Sequence, residues 1–394
     1  MPLPPFREYQ AARKPLPRRD YTLTLGSESE SGKGSYPSGT PHGLSSRLPP
    51  MKKALVFGIT GQLGAAVAGR LLDTGWQVWG TARGNRMPPA WLQKRGVRPA
   101  EGTNDSYEGV IRGLEFPMDA AFVPTAYDVP AIDLLAAGMR VGSLVVVSSS
   151  SVYADSEGRS LDEAGETGFP VFDGPISEET RTVEAGPQTY STRKVAMERA
   201  LLSSGLPVTI LRPCAIYGPL ARHPREWWFV KRALDGRDRI PVCLGARSVF
   251  HTSSARGIAD LAEICMTSPE QRILNVADAT PLTVAEIADA ISKAIGKPIN
   301  LVPFEGGPFG HSYVGSTPWS VERPYVLDTS RATMLGWHGG EYRDQVADAC
   351  RWLVETASKE DWRHQFTAFN RYGYDTFDYG AEDAWLANHL SSSA

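Results

Sequence analysis

The stretch Ala54-Leu-Val-Phe-Gly58-Ile-Thr-Gly61-Gln-Leu-Gly64 is an apolar run followed by three glycines. The apolar run is typical of a buried strand, and residues 65–74 have the pattern of a helix. Glycines at a strand-to-helix turn allow a tight turn, close approach of the backbone to a pyrophosphate, and close helix–strand packing. The stretch therefore predicts a dinucleotide-binding loop with its phosphates at the helix N-terminus. The residues assigned to this loop are Gly58, Thr60, Gly61, Gln62, Leu63 and Gly64.

The rest of the chain continues the alternation of short apolar runs and helix-length segments. Further strand-like runs are 77–81, 120–123, 144–148 and 208–211. Strands that alternate with helices pair in parallel and are covered by helices on both faces of the sheet. We therefore expect an α/β fold with a Rossmann-type doubly wound parallel sheet. Beyond Pro213 the alternation loosens and turn residues increase, which predicts a smaller C-terminal substrate lobe.

This pattern divides the chain into four segments. Residues 1–50 include 21 Pro, Gly or Ser residues and are expected to form a disordered tail, because they have little apolar surface to bury. Residues 51–215 are expected to form the nucleotide-binding domain. Residues 216–355 are expected to form the substrate lobe, with later strands returning to the main sheet, and Thr283 and Glu286 have capping-box spacing there. Residues 356–394 are an aromatic-rich extension that we expect to wrap over the body.

Composition argues against several classes of protein. The formal net charge of -3 is not that of a basic nucleic-acid binder, so no nucleic-acid partner is expected. The apolar runs fall far short of the roughly 20 residues that span a bilayer, so no membrane span is expected. The four cysteines lie far apart and support neither a disulfide framework nor a thiolate zinc site. We therefore expect no metal and a reducing, cytoplasmic location.

The second predicted strand indicates which nicotinamide cofactor is bound. No Asp or Glu occurs between Trp76 and Ala100, although an acid after this strand would accept hydrogen bonds from the ribose of NAD. An arginine suits the 2′-phosphate of NADP instead. Arg83, with Arg86 nearby, therefore favours NADP, and NAD is the alternative. Arg83 could also be an ordinary solvated loop residue.

Two further features have the residue types of a proton-transfer site. Serines 148–151 follow a buried strand, and Tyr190 and Lys194 are spaced to share one face of a helix. A phenol with a pKa of about 10 is a poor base at neutral pH, but a neighbouring ammonium group favours its phenolate. Tyr190 could then exchange a proton with a substrate hydroxyl or carbonyl while hydride moves to or from a nicotinamide. A serine at the strand end would hold the substrate oxygen.

In this order the motifs resemble those of the extended short-chain dehydrogenase/reductase family, also called the NAD-dependent epimerase/dehydratase family. The resemblance extends from about residue 51 to residue 355. The motifs that carry it are Thr60-Gly61-x-x-Gly64, Ser148-Ser149-x-x-Val152-Tyr153, Tyr190-x-x-x-Lys194, Arg212-Pro213-x-x-x-Tyr217-Gly218-Pro219, Leu274-Asn275-Val276-Ala277 and Leu335-Gly336-Trp337. The family implies an enzyme that transfers hydride at a hydroxyl or carbonyl carbon. Its members often form homodimers through the helix that bears the Tyr and Lys.

The resemblance also implies roles for individual residues. Ser149, Tyr190 and Lys194 would form the catalytic triad. Ser150 is the second choice for the serine and a candidate substrate contact. Tyr190 and Lys194 would also bind the cofactor, whose nicotinamide Pro213 would flank.

Substrate class is indicated by a single arginine and by departures from the family pattern. Arg247 stands four residues before His251, a spacing at which family members often bind the diphosphate of a nucleotide sugar, and a surface arginine is the alternative. Residues 102–104 read Gly-Thr-Asn where the family usually has Gly-Asp-Leu. Residues 250–254 read Phe-His-Thr-Ser-Ser, where relatives carry an Asp after a His-Val pair. The serine run lacks the Asp-Glu pair of the family's sugar dehydratases, which disfavours elimination of water.

Three hypotheses follow. The leading one is a nicotinamide-dependent oxidoreductase or epimerase with a nucleotide-sugar-type small molecule as substrate. The second is an NADPH-dependent reductase of a non-nucleotide aldehyde or ketone, which Arg83 and the departures near His251 favour. The third is a non-catalytic cofactor-binding protein with an RNA or protein partner. Residues 227–229, Trp-Trp-Phe, are expected to pack in the core of the lobe, with a pocket wall as their alternative role.

Overall fold

The computed structural model describes residues 51–82, 87–100, 107–112, 117–124, 138 and 141–390 of the chain. Its strands are β1 (Lys53–Val56), β2 (Gln77–Gly80), β3 (Arg98–Pro99), β4 (Met118–Val123), β5 (Val141–Val147), β6 (Val208–Pro213), β7 (Ala215–Tyr217), β8 (Ile240–Val242), β9 (Thr252–Ser254), β10 (Arg272–Val276) and β11 (Leu301–Pro303). Its α-helices are α1 (Gln62–Asp73), α2 (Ala90–Lys94), α3 (Tyr107–Arg112), α4 (Ala164–Thr167), α5 (Tyr190–Leu202), α6 (Trp227–Leu234), α7 (Ala255–Thr267), α8 (Val284–Ile295), α9 (Ser330–Thr333), α10 (Tyr342–Lys359), α11 (Trp362–Gln365) and α12 (Tyr379–Leu390). The tail expected at residues 1–50 lies outside the described residues.

Seven strands form one sheet in the order β10-β6-β5-β4-β1-β2-β3. Ala54 of β1 lies opposite Val78 of β2 on one side and Ala120 of β4 on the other. All the strand pairs are parallel, and β1 to β6 follow the strand order of a doubly wound nucleotide-binding fold. The expected Rossmann-type α/β class is therefore confirmed. β10 returns from far along the chain to pair with β6 at the sheet edge.

Strand side chains alternate between two hydrophobic layers, one on each face of the sheet. Ala54 and Val56 belong to the layer that includes α1 and α7, whereas Leu55 and Phe57 belong to the layer that includes Leu201 of α5. Successive residues of a strand point to opposite faces, so a strand covered on both sides is apolar at nearly every position. This is why the strands are recognisable in the sequence as short continuous apolar runs.

The smaller lobe has a hydrophobic core of its own. It contains Trp227, Trp228 and Phe229 of α6, which are at most 2% exposed and pack with buried residues of α8 and α10, as expected for core residues. Two parallel strand pairs, β8 with β11 and β7 with β9, lie outside the main sheet. α8 begins with the expected capping box, since Thr283 Oγ1 accepts from the N–H of Glu286 and the Glu286 carboxylate accepts from the N–H of Thr283.

The aromatic C-terminal segment packs against α6. The ring centroids of Trp227 and Phe366 are 5.1 Å apart, and Phe366 is fully buried. Arg232 of α6 donates to the Glu382 carboxylate of α12 at 3.0 and 2.5 Å and to the Thr376 carbonyl at 2.7 Å. An ion pair buried to this degree and an aromatic interface together attach the segment to the lobe.

The domain boundaries proposed from the sequence stay predictions. The one between residues 355 and 356 falls inside α10. Within the described part of the chain, none of the helices combines the length and the apolar character needed to cross a membrane.

Candidate active site

The loop between β1 and α1 disfavours a side chain at Gly58 and at Gly64. Gly58 has a φ of +63°, a conformation that other residues rarely adopt. A Cβ on Gly64 would lie 2.3 Å from the Gly58 carbonyl oxygen, so α1 begins as close to the loop as the two backbones permit. Gly61 is the N-cap of α1 and offers no side-chain oxygen to its first N–H groups. The N-terminus of α1 therefore fits a phosphate group.

The other residues assigned to this loop are held in different ways. Gln62 Nε2 donates to the Gly218 carbonyl at 3.1 Å and ties the loop to the segment after β7. Leu63 buries its side chain in the hydrophobic layer beneath α1, so a contact with a cofactor would be made by its backbone. Thr60 is partly exposed at the surface of the loop.

The end of β2 meets the same loop. Thr81 Oγ1 accepts from the N–H of Gly58 at 3.2 Å, and the Thr81 carbonyl accepts from the N–H of Ile59 at 2.9 Å. β2 therefore ends where the ribose of a dinucleotide would lie if its phosphates occupied the α1 N-terminus. Arg83 and Arg86 lie outside the described residues, so the preference for NADP stays a prediction. Residues 102–104 also lie outside them.

The predicted catalytic serine stands just beyond the end of β5. Ser149 is partly exposed, and its Oγ accepts from the N–H of Ser151 at 3.2 Å at the start of a 3-10 turn, Ser150–Val152. Accepting this bond leaves the hydroxyl proton of Ser149 free to be donated to another group. Ser148 points inward instead, and among the described residues its buried Oγ has no hydrogen-bond partner.

Tyr190 and Lys194 lie on α5, next to the end of β5. Lys194 is only 2% exposed, and its Nζ donates to the carbonyl of Val147 at 2.9 Å. The same Nζ lies 5.7 Å from the centroid of the partly exposed Tyr190 ring. Since Val147 is the last residue of β5 and Ser149 follows two residues later, the three predicted catalytic residues lie near the same strand end. Their catalytic roles stay predictions.

Ser191, which the sequence did not single out, fixes α5 against the serine turn. Its Oγ lies 2.9 Å from the Ser151 carbonyl and 2.8 Å from the Ser151 Oγ, and its N–H donates to the Asp162 carboxylate at 2.7 Å. Because Ser191 follows Tyr190 directly, these bonds position the phenol relative to Ser149. A serine after the Tyr gives no sequence signal for this role, which depends on a partner 40 residues away.

The end of β6 completes this edge of the sheet. Pro213 is the last residue of β6 and is buried. Cys214 follows it, donates its N–H to Ser253 Oγ at 2.9 Å, and has a hydrogen bond between its thiol and the Ser150 side chain. Burial raises the pKa of the Cys214 thiol to about 11, so a thiolate nucleophile is not available there at neutral pH. Ser150 is itself buried.

Three of the family motifs meet in a buried polar network behind the site. The Tyr153 hydroxyl donates to Asn275 Oδ1 at 2.6 Å, and the Arg212 guanidinium lies 4.9 Å from the Tyr153 ring centroid. Arg212 also binds the Glu198 carboxylate through two hydrogen bonds of 3.0 and 2.5 Å. Burial is the main cause that raises the pKa of Tyr153 to about 12. The network joins the ends of β5, β6 and β10 to α5.

His251 and Asp278 show how the departure at residues 250–254 is accommodated. His251 Nδ1 accepts from the N–H of Leu327, so Nε2 carries the proton and donates to the Asp278 carbonyl at 2.9 Å. Burial lowers the pKa of His251 to about 4, which keeps the ring neutral. The Asp278 carboxylate accepts from Thr252 Oγ1 at 2.6 Å and from the N–H of Ser254 at 3.1 Å. A carboxylate after β10 thus binds the segment that departs from the family pattern.

Arg247, the residue predicted to bind a substrate diphosphate, lies at the surface of the protein. The Arg247 side chain is 67% exposed and binds both oxygens of Glu305, at 2.9 and 2.7 Å. Within the described part of the chain, no contact joins it to Ser149, Tyr190 or Lys194. Its role in substrate binding stays a prediction. The described residues also contain no group of three or more His, Cys, Asp or Glu side chains that could hold a metal ion.

Solved structures with this architecture are numerous. A UDP-N-acetylglucosamine 4-epimerase from Methanobrevibacter ruminantium, in complex with UDP-N-acetylmuramic acid, is 15% identical, covers 78% of this chain and 99% of its own, and has a TM-score of 0.58. The Bordetella bronchiseptica enzyme WbmH, in complex with NAD⁺, is 18% identical over 77% of this chain and 99% of its own, also with a TM-score of 0.58. The chain has the fold of the NAD-dependent epimerases and dehydratases. The predicted resemblance to that family is confirmed in the fold.

One further solved structure has the same fold, and the comparison with curated proteins gives a partial match. A Thermus thermophilus UDP-glucose 4-epimerase, in complex with NAD, is 20% identical over 76% of this chain and 98% of its own, with a TM-score of 0.55. A curated relative, the chloroplast stem-loop binding protein of 41 kDa b from Arabidopsis thaliana, is 28% identical over 157 residues. That match spans 38% of this chain and 40% of the relative's length. No protein-family model matches the chain.

Proposed function

We propose that the protein is a nicotinamide-dependent oxidoreductase of the epimerase type. It acts at a hydroxyl-bearing or carbonyl carbon of a nucleotide-sugar-type substrate. The observation that carries the proposal is the position of Lys194, whose Nζ lies 2.9 Å from the last carbonyl of β5 and 5.7 Å from the Tyr190 ring. This arrangement sets a cation beside a phenol at the strand end where Ser149 stands.

The glycine loop fits a dinucleotide. Gly64 packs so closely against Gly58 that there is no room for a Cβ between them. The N-terminus of α1 also has no side-chain cap, so its backbone N–H groups are open to a pyrophosphate. We infer that the loop from Gly58 to Gly64 binds the phosphates and that Lys194 and Pro213 border the nicotinamide end. NADP, favoured by Arg83, and NAD are both compatible with this site. When bound, the nicotinamide supplies the acceptor and donor of hydride.

Ser149, Tyr190 and Lys194 bind the substrate oxygen and transfer its proton. Ser149 donates its free O–H to that oxygen and holds it within reach of Tyr190. Tyr190 takes up the hydroxyl proton as the substrate carbon is oxidised and returns it as the carbon is reduced. The Lys194 ammonium favours the phenolate form of Tyr190 by its charge.

A Tyr190→Phe variant tests this mechanism. We expect turnover to fall by about 10²–10⁴-fold, because the proton-transferring hydroxyl is lost. Cofactor affinity, measured by titration, should stay within a few-fold of the wild-type value. Tyr313→Phe, which removes the hydroxyl of a ring that stacks on Tyr374 of the C-terminal segment, is the matched control and should be fully active. Unchanged turnover in Tyr190→Phe would rule the mechanism out.

A second candidate is an NADPH-dependent reductase of a non-nucleotide aldehyde or ketone. The pairing of exposed Arg247 with Glu305 favours it, because the cation expected to bind a diphosphate already has a counter-ion. Mass spectrometry of small molecules released by denaturing the fresh protein separates the two. Near-stoichiometric NAD(H) favours an epimerase with a retained cofactor. An empty protein stabilised more by NADPH than by NADH favours the reductase.

A nucleic-acid or protein partner is the third candidate, and the name of the Arabidopsis relative is the observation that favours it. The intact Ser149, Tyr190 and Lys194 site and the net charge of -3 favour catalysis instead. Strongly salt-dependent RNA retention in the absence of redox activity would support the RNA-binding function.

We also propose a cytoplasmic location and a homodimer. Light scattering of the purified protein tests the dimer.

A further inference from the structure

Arg225, just before α6, is a buried cation without a counter-ion among the described residues. It is 9% exposed, and in that part of the chain its buried Nε has no hydrogen-bond partner. No ion pair joins its guanidinium to a carboxylate of the described residues. Two other buried arginines differ, because Arg212 is bound by Glu198 and Arg232 by Glu382. Burying an unpaired charge costs free energy, so an unpaired buried arginine indicates a functional role such as ligand binding.

The carboxyl group nearest in sequence does not neutralise Arg225. Glu226 accepts a hydrogen bond from the Tyr342 hydroxyl at 3.3 Å. Burial raises the pKa of Glu226 to about 7, against an opposing effect of the Arg225 charge. Glu226 makes no ion pair with Arg225, and its raised pKa lessens the negative charge that it offers to the guanidinium.

Contacts place Arg225 beside the strand-end serines. Its guanidinium lies 6.0 Å from the Phe250 ring centroid, and Phe250 packs edge-on against Tyr325 at 5.6 Å. The Tyr325 hydroxyl donates to the Ser150 carbonyl at 2.5 Å. The Arg225 charge also acts on the Cys214 thiol, whose sulfur bonds to the Ser150 side chain. Arg225 is therefore one packed aromatic layer away from Ser150, the residue that follows Ser149.

His223, whose pKa the Arg225 charge affects, packs among aromatic side chains. His223 Nε2 lies 2.9 Å from the Tyr372 hydroxyl of the C-terminal segment. Burial, together with the Arg225 and Arg371 charges, lowers the pKa of His223 to about 3, so the ring stays neutral. The His223 ring also packs edge-on against Phe369 at 5.8 Å. A low-dielectric wall of this kind strengthens the attraction of a guanidinium for an anion.

We propose that Arg225 binds an anionic group of the substrate close to the reacting carbon. A guanidinium matches two oxygens that share one negative charge, which is the chemistry of a carboxylate or a phosphodiester. One unpaired cation neutralises one such charge. The inference rests on the proposed function for the location of the reacting carbon, and it narrows the substrate to one that carries an acidic group there.

The first test measures stability without ligand. Arg225→Met removes an unpaired charge and keeps most of the side-chain volume, so we expect the unfolding midpoint to rise by about 1–3 °C. Arg232→Met is the matched control on α6, and its midpoint should fall because Glu382 loses its partner. A fall in Arg225→Met as large as that in Arg232→Met would show that Arg225 is structural, and would overturn the proposal.

The second test measures affinity for UDP-glucuronic acid, UDP-glucose and UDP with the cofactor at saturation. We expect Arg225→Met to lose about 10- to 100-fold in affinity for at least one anion source. A loss confined to UDP-glucuronic acid assigns Arg225 to a sugar carboxylate. Equal losses for all three ligands assign it to the diphosphate. Equal affinities in the variant and the wild type would overturn the proposal.

The two proposals fail in different ways. If no nucleotide sugar binds the wild-type protein, the proposed substrate class is wrong, and inorganic phosphate and acetate at constant ionic strength then decide the role of Arg225. A rise of the wild-type midpoint with either anion that is absent in Arg225→Met supports the anion site. The same response in both proteins would overturn it.

Discussion

Glu226 is buried at the start of α6 and retains its proton to an unusually high pH. Burial is the main cause that raises its pKa from 4.5 to about 7, with a smaller effect of Asp278 in the same direction. Between these two pH values the unfolded chain has released a proton that the folded chain keeps. Stability therefore falls as pH rises through this window, because the folded state binds more protons there.

This sign gives a prediction for Glu226→Gln. Wild-type protein should lose on the order of 2–3 kcal/mol of unfolding free energy between pH 4.5 and pH 7.5 from this group. The variant should lose correspondingly less, since Gln accepts the Tyr342 hydrogen bond without titrating. Chemical denaturation at a series of pH values measures the effect, with exposed Glu355→Gln as the control. Parallel pH profiles for Glu226→Gln and wild type would contradict the assignment.

At the scale of the element, the capping box of α8 was predicted from the sequence, and its contribution to the unfolding free energy can be measured. Thr283→Ala removes the Oγ1 that accepts from the N–H of Glu286. We expect a loss of about 1 kcal/mol in unfolding free energy. Thr283→Ser keeps the oxygen and should cost much less. Equal losses in the two variants, measured by denaturant titration, would mean that the threonine methyl group and not the cap stabilises α8.

Elements were predictable where local pattern and tertiary environment agree. The expected strand at 208–211 lies within β6 and the one at 120–123 lies within β4, because a strand buried on both faces is apolar along its length. The start of α5 shows the limit of this reasoning. Its capping box uses Thr192 in place of the usual Glu or Gln, so the sequence lacks the signal that marks Thr283 and Glu286.

The same limit applies to the candidate site. Tyr190 and Lys194 are predictable because their four-residue spacing determines that they share a helix face. Arg225 and Ser191 are not, since their roles depend on neighbours that the chain brings together only on folding. For Arg247 the sequence spacing predicted a contact with the substrate. In the folded chain its guanidinium instead binds Glu305, a partner that the sequence did not indicate.

At the scale of the whole molecule, the buried Arg232–Glu382 ion pair is one of the contacts that attach the C-terminal segment to the lobe. Glu382→Gln leaves Arg232 without its counter-charge, so we expect a loss of about 3 kcal/mol in unfolding free energy. Asp383→Asn is the matched control, because Asp383 is 61% exposed and its ion pair with Arg237 lies at the surface. If the two variants are equally stable in thermal unfolding, the buried pair does not hold the segment.

Accessibility to reagents sets Cys214 apart from the other cysteines. Cys243, Cys265 and Cys350 are at most 1% exposed, whereas Cys214 keeps some exposed surface although its thiol is enclosed enough to have a pKa of about 11. Alkylation requires the thiolate, so labelling should be slow at neutral pH and faster in alkaline buffer. A fluorophore introduced in this way would attach at one place, next to Ser150. The chain thus contains its own attachment point for an optical reporter beside the strand-end serines.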